Sequence, residues 1–136
     1  MANNELALSF GLPGLNEIIA AAKIPTRQRR GKRSIPGMAY ASMKKKYTQK
    51  IEAELVAQGC IPDTPYPAIV IEFEWIEGTH ARDPDNARMG AKFVLDAMVN
   101  RGVIPNDTRK EVKILRDSYP DGKERAVIIR WSEAEQ

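Results

Sequence analysis

The sequence predicts a single α+β domain, a mixed β-sheet with helices packed on it. Three observations carry this expectation. Ile69, Ile71, Phe73 and Trp75 alternate with Val70, Glu72 and Glu74, the two-residue period of a half-buried strand. Met43, Tyr47, Ile51 and Leu55 recur every four residues, the stripe of a helix with one buried face. The chain has 136 residues, enough to bury a real core yet no more than one ordinary domain. The expected order is strand, helix, strand, helix, strand, strand, in one domain spanning 1–136.

Leu6, Leu8 and Phe10 alternate with Ala7 and Ser9, which predicts a first strand ended by Gly11-Leu12-Pro13-Gly14. Asn16 to Lys23 reads as a short helix stopped before Pro25. A basic stretch without apolar period follows, and 24–37 is expected to be a mobile loop. The long helix is predicted from Met38 to Gln58, with Gly59 as its C-terminal cap. A second long helix runs from Asn86 to Asn100 and ends at Gly102. Val112 and Ile114 mark a third strand, Pro120-Asp121-Gly122 a turn, and Ala126 to Trp131 the last strand. These final two strands are expected to form an antiparallel hairpin.

Composition narrows the function. Hydrophobic residues make up 43% and charged residues 29%, a globular balance. No apolar run approaches the ~20 residues that span a bilayer, and the N-terminus lacks the basic and apolar regions of a signal peptide. Cys60 is the sole cysteine, which excludes an internal disulfide and a thiolate zinc cluster and suits an intracellular protein. The net charge of +3 is unevenly spread. Residues 1–50 hold ten Lys and Arg against two acids, whereas residues 51–136 hold eleven against sixteen. A polyanion-binding region beside a cation-binding region would produce this asymmetry, and so would two solvated faces. The candidate DNA-binding residues are Arg27, Arg29, Arg30, Lys32, Arg33 and the helical Lys44, Lys45 and Lys46.

The segment Arg82-Asp83-Pro84-Asp85-Asn86 lies between a strand and a helix, where chemistry often collects. Two carboxylates one residue apart repel each other unless they share a cation, and Mg2+ takes oxygen ligands from such pairs. Asp and Asn also cap helices, and Pro favours the first helical turn. Judged alone, capping is the stronger explanation. The next helix adds weight to the other one: Arg88, Lys92, Asp96 and Asn100 form a single polar stripe on an otherwise apolar surface. That stripe faces water, or it leads a lysine and an acid toward Asp83 and Asp85. Asp107 follows the helix, and a loop returning it to the pair would supply a third carboxylate. Other chemistries fail. Counted from Asp83, the Gly and Glu required of a calcium loop fall on Arg88 and Val94. No phosphate-binding Gly-Lys-Ser/Thr loop is present. His80 and Cys60 stand in different predicted elements, which disfavours a Cys/His nucleophile, and His80 is an ordinary loop histidine or a phosphate contact.

Taken together, Arg82-Asp83-Pro84-Asp85-Asn86, then Lys92-Phe93-Val94-Leu95-Asp96-Ala97, then Gly102 through Asp107, resemble the RusA family of Holliday-junction resolvases. The resemblance covers about residues 69–131 and is looser in the N-terminal third. It implies that Asp83, Asp85 and Asp107 hold Mg2+ (with Mn2+ as a substitute), that Lys92 is the catalytic lysine, and that Arg82 is the arginine preceding the first aspartate, counted here among the DNA contacts. It further implies a homodimer that cuts four-way junctions by paired phosphodiester hydrolysis, in the cytoplasm of a bacterium or encoded by a prophage. Asn106 departs from the family, in which some members carry two acids at 106–107, and the spacing from Asp85 to Lys92 is variable. A homodimer contact is also suggested by the apolar last strand, Val127, Ile128, Ile129 and Trp131. Two other readings stay open: a DNA-binding protein in which the aspartates are caps, and a metal-dependent nuclease without junction preference.

Overall fold

The computed structural model describes residues 2–23, 37–79 and 82–135. Four strands and a set of helices alternate along the chain: β1 (Glu5–Leu8), α1 (Leu15–Lys23), α2 (Met38–Ala57), β2 (Ile69–Ile76), α3 (Pro84–Ala87), a 3-10 turn (Arg88–Gly90), α4 (Ala91–Asn100), β3 (Val112–Ser118) and β4 (Ala126–Glu133). The fold is a mixed α+β domain, as the periodicities predict. No described helix is long and apolar enough to cross a membrane.

The sheet order is β1-β4-β2-β3. β2 pairs parallel with β3 and antiparallel with β4, and β4 pairs antiparallel with β1. The expected β3–β4 hairpin is therefore absent. β4 passes beyond β3 and enters the sheet between β1 and β2. A helix separates β2 from β3, which is the connection that parallel neighbours require. β4 is the more apolar of the last two strands and takes the inner position: Val127 and Ile129 are fully buried and Trp131 nearly so. Those residues are core, so they cannot supply the intermolecular contact expected of them.

Ile69, Ile71, Phe73 and Trp75 point to the helical side and join Leu6, Leu8, Phe93 and Met98 in one core. The opposite face of the sheet is laced with charge. Arg130 bridges Glu5 at 3.1 Å and Glu74 at 2.8 Å, and Arg116 meets Glu72 at 3.6 Å. Such exposed pairs contribute little to stability, but they keep this face solvated. Ile51 and Leu55 of α2 are buried, with Met43 and Tyr47 packed at the edge of the core, as the four-residue stripe requires.

Both long helices end in the same way. The N–H groups of Gly59 and Cys60 bond the carbonyls of Val56 and Leu55, and those of Gly102 and Val103 bond Val99 and Met98. These are Schellman caps, and each glycine has a positive φ, 70° and 74°. No atom crowds either position, so replacement by alanine strains only the backbone. Gly59→Ala and Gly102→Ala are each expected to cost about 1–2 kcal/mol in urea unfolding.

The predicted Asn86–Asn100 helix begins two residues earlier and contains the 3-10 turn. Gly90 lies where that turn meets the loop before α1. A Cβ there would approach Leu12 Cβ at 2.9 Å and a Trp75 ring carbon at 3.2 Å. The close approach explains a glycine in a helix interior.

Candidate metal centre and nucleic-acid interface

The Arg82–Asn86 loop is divided by direction. Arg82 and Asn86 turn inward, whereas Asp83, Pro84 and Asp85 are exposed. The Asn86 side-chain oxygen accepts the Asn16 N–H at 3.1 Å, at the start of α1. The Arg82 guanidinium donates to the Leu12 carbonyl and Glu17 at 3.1 Å each, and to Glu77 more closely. Arg125 adds a second cation, 3.8 Å from Glu77. This knot ties the end of β2 to the loop before α1 and to α1 itself.

Burial alone would lower the Arg82 pKa, but the hydrogen bond to Glu77 and the charges of Glu77 and Glu17 raise it above the ordinary arginine value. Its side chain is only 11% exposed, so the guanidinium is committed to holding the fold. That corrects its placement among the DNA contacts.

The two aspartates are left free. Asp83 occupies the N-cap position of α3, with extended backbone angles and Pro84 behind it, yet its carboxylate makes no capping hydrogen bond. The Asp83 carbonyl instead accepts the N–H groups of Asn86 and Ala87. Among the described residues, neither Asp83 nor Asp85 has a salt-bridge partner within 4.0 Å. A capping acid normally spends its oxygens on the first helical amides. Here the loop is held by its neighbours, and two unspent carboxylates face solvent. That donor set fits a hard divalent cation, which is held through one or two carboxylates and keeps the rest of its shell for water and phosphate.

The far end of β3 supports this loop from one side. The Tyr119 hydroxyl donates to the Pro84 carbonyl at 3.2 Å. Asp117 accepts Trp75 Nε1 at 2.7 Å and Arg88 Nε at 3.0 Å. The Tyr119 pKa is raised, by partial burial first and then by Asp117, with Asp85 adding to it. Tyr119 therefore stays a neutral donor beside the aspartates.

Lys92 and Asp107 lie elsewhere. The polar stripe of α4 neither faces open water nor runs to the Asp83/Asp85 pair. It meets an equally spaced stripe on α2. Lys92 bonds the Tyr40 hydroxyl, Lys44 pairs with Asp96 at 3.4 Å, and Glu52 takes Asn100 at 3.5 Å and Arg101 at 3.2 Å. The contacts ascend together, so the two helices run in the same direction. Asp107 sits at the lower end of this seam, in a small cavity with Lys44, Thr48, Asp96 and Asn100. The Asn106 side chain accepts the Asp107 N–H at 2.9 Å, which spends its oxygen on the turn.

Parallel pairing explains why Asp107 does not reach the others. Asp83 and Asp85 follow the C-terminal end of β2, where Glu74 pairs with Ser118, whereas Asp107 precedes the N-terminal end of β3, where Ile69 pairs with Val112. An eight-residue strand separates those ends by roughly 25 Å. Among the described residues, no three Asp, Glu, His or Cys side chains gather into a metal site.

No family model matches the chain, and no curated protein matches it. The site is therefore argued from its own geometry. Arg27, Arg29, Arg30, Lys32, Arg33 and His80 lie outside the described residues. Lys45 and Lys46 stand exposed on α2 beside Lys44, which is half committed to Asp96. Sequence reasoning did not single out Glu17, Glu77, Arg125 or Tyr119. Each is far in sequence from the loop it holds, and no spacing rule links them to it.

Proposed function

We propose that this chain is a metal-dependent endodeoxyribonuclease acting on branched DNA as a homodimer. The observation that carries the reading is the pair of free, exposed carboxylates on a loop whose flanking residues are both tied into the fold. Asp83 and Asp85 would hold Mg2+, which when bound supplies charge stabilisation at phosphate and lowers the pKa of water. The chain's own part is positional. Arg82 and Asn86 hold the loop, and Tyr119 fixes the Pro84 carbonyl between the aspartates. Lys92 belongs to the reading as a cation that neutralises developing charge, which requires it to leave Tyr40 when DNA binds.

The test compares a labelled four-way junction with linear duplex of the same sequence, in Mg2+ and in EDTA. The reading expects Mg2+-dependent cutting with preference for the junction. Equal cutting of both substrates would leave a nuclease without junction selectivity, and no cutting would remove the enzyme. One observation favours a DNA-binding protein without catalysis, namely the distance from Asp107 to the Asp83/Asp85 pair within one copy.

The basic surface gives its own prediction. Removing Lys45 and Lys46 together should weaken binding to all sequences about equally. It should also reduce the slope of log affinity against log salt by about 0.9 for each duplex phosphate that is no longer neutralised. Lys44→Ala should have the smaller effect, because Asp96 already neutralises it. An unchanged slope in the double variant would remove α2 from the interface.

A further inference from the structure

We propose that two copies of this chain pair antiparallel through the outer edge of β3, and that each metal site takes Asp83 and Asp85 from one copy and Asp107 from the other. The inference rests on the nuclease reading for its catalytic half and on the fold alone for its pairing half.

The two edges of the sheet are treated differently. At β1, the Gln58 amide accepts the Ala7 N–H at 2.9 Å and donates to the Ala7 carbonyl at 2.8 Å, which occupies that edge. At β3, no described residue pairs with the outer edge, and Lys113, Ile114, Arg116 and Ser118 are exposed along the strand. An open edge of this kind is a template for another strand.

The sequence of β3 is complementary to itself when reversed. In an antiparallel pair centred on Leu115, Leu115 faces its own copy and Lys113 faces the partner's Asp117, twice by symmetry. Leu115 and Asp117 lie opposite Ile71 and Phe73, so both belong to the helix-covered side of the sheet. Asp117 already accepts Trp75 and Arg88, and a third cation suits an anion held at this depth.

The same operation addresses the separation of the carboxylates. Antiparallel pairing places the start of the partner's β3 beside the end of this one. The partner's Asp107 then approaches Tyr119, whose hydroxyl holds Pro84 between Asp83 and Asp85. A two-fold axis perpendicular to the sheet keeps both helical layers on the same side, so the acids converge on one surface. Two identical sites result, as paired cuts in a symmetric junction require.

The pairing is tested without reference to activity. Leu115→Cys should form a disulfide-linked dimer on mild oxidation, since the only native thiol, Cys60, is fully buried. Lys113→Glu places acids opposite each other and should raise the dimer dissociation constant at least tenfold by sedimentation equilibrium. Failure to cross-link together with an unshifted Lys113→Glu equilibrium overturns the edge. The shared site is tested by co-expressing Asp83→Asn and Asp107→Asn chains under different tags and isolating the mixed dimer. Each homodimer should be inactive. The mixed dimer retains one complete site and should nick junctions at about half the wild-type rate. No recovery, with wild-type protein active, overturns the shared site and leaves the nuclease reading standing. Wild-type protein that never cuts overturns that reading, while the cross-linking result still decides the pairing.

Discussion

Asp83→Asn is expected to reduce Mg2+-dependent cleavage on the order of 100- to 1,000-fold while leaving junction affinity unchanged or tighter. The substitution keeps side-chain size and removes one charged oxygen ligand. Removing negative charge from a surface that faces DNA favours binding. Folding should be unaffected for two reasons. Asn and Asp are nearly equal at a helix N-cap. The Asp83 carboxylate also makes no capping bond that Asn would have to replace. Stability should therefore stay within about 0.5 kcal/mol of wild type. Asp85→Asn and Asp107→Asn should behave alike. The measurements are circular dichroism, gel-shift affinity and cleavage on the same preparations. Full cleavage by the Asp83→Asn protein would eliminate the metal site.

Arg82→Ala should act on the fold, with a loss of about 3 kcal/mol and a fall in melting temperature of roughly 10 °C. The guanidinium joins Glu77, Glu17 and the Leu12 carbonyl, and both Arg82 and Glu77 are nearly buried. Truncation leaves the Glu77 carboxylate with Arg125 alone, at 3.8 Å, and this poorly compensated charge accounts for most of the cost. Adding Glu77→Gln to the Arg82→Ala protein should recover part of the loss, because it removes that charge. Were Arg82 chiefly a phosphate contact, the single variant would melt like wild type and bind DNA more weakly. Thermal melts of the two variants beside a gel shift distinguish the outcomes.

The elements were legible where one period governed a stretch. The buried stripe of α2 ends at Leu55, and the inward residues of β2 are the alternating Ile69, Ile71, Phe73 and Trp75. Pairing was less legible, because a two-residue period marks a strand without naming its neighbour. Two signals for the true arrangement were nevertheless present. A helix joins β2 to β3, which points to parallel neighbours. β3 carries Lys113, Arg116 and Asp117 in seven residues, the composition of an edge strand, whereas β4 is apolar enough for the interior.

The sequence by itself determined the α+β class, the extent of both long helices with their glycine caps, and the loop from Arg82 to Asn86 as the place to look. All of these are local: each follows from residues within a few positions of one another. Tertiary structure alone decided which members of that loop are available. Arg82 and Asn86 are consumed by Glu17, Glu77, Leu12 and Asn16, and Asp83 and Asp85 remain free. It also set the polar stripe of α4 against α2 and put Asp107 at the opposite end of the parallel β2–β3 pair. The physical reason is that a hydrogen bond or ion pair forms between groups the fold brings together, whatever their separation along the chain. The spacing of residues in sequence carries no record of that partner.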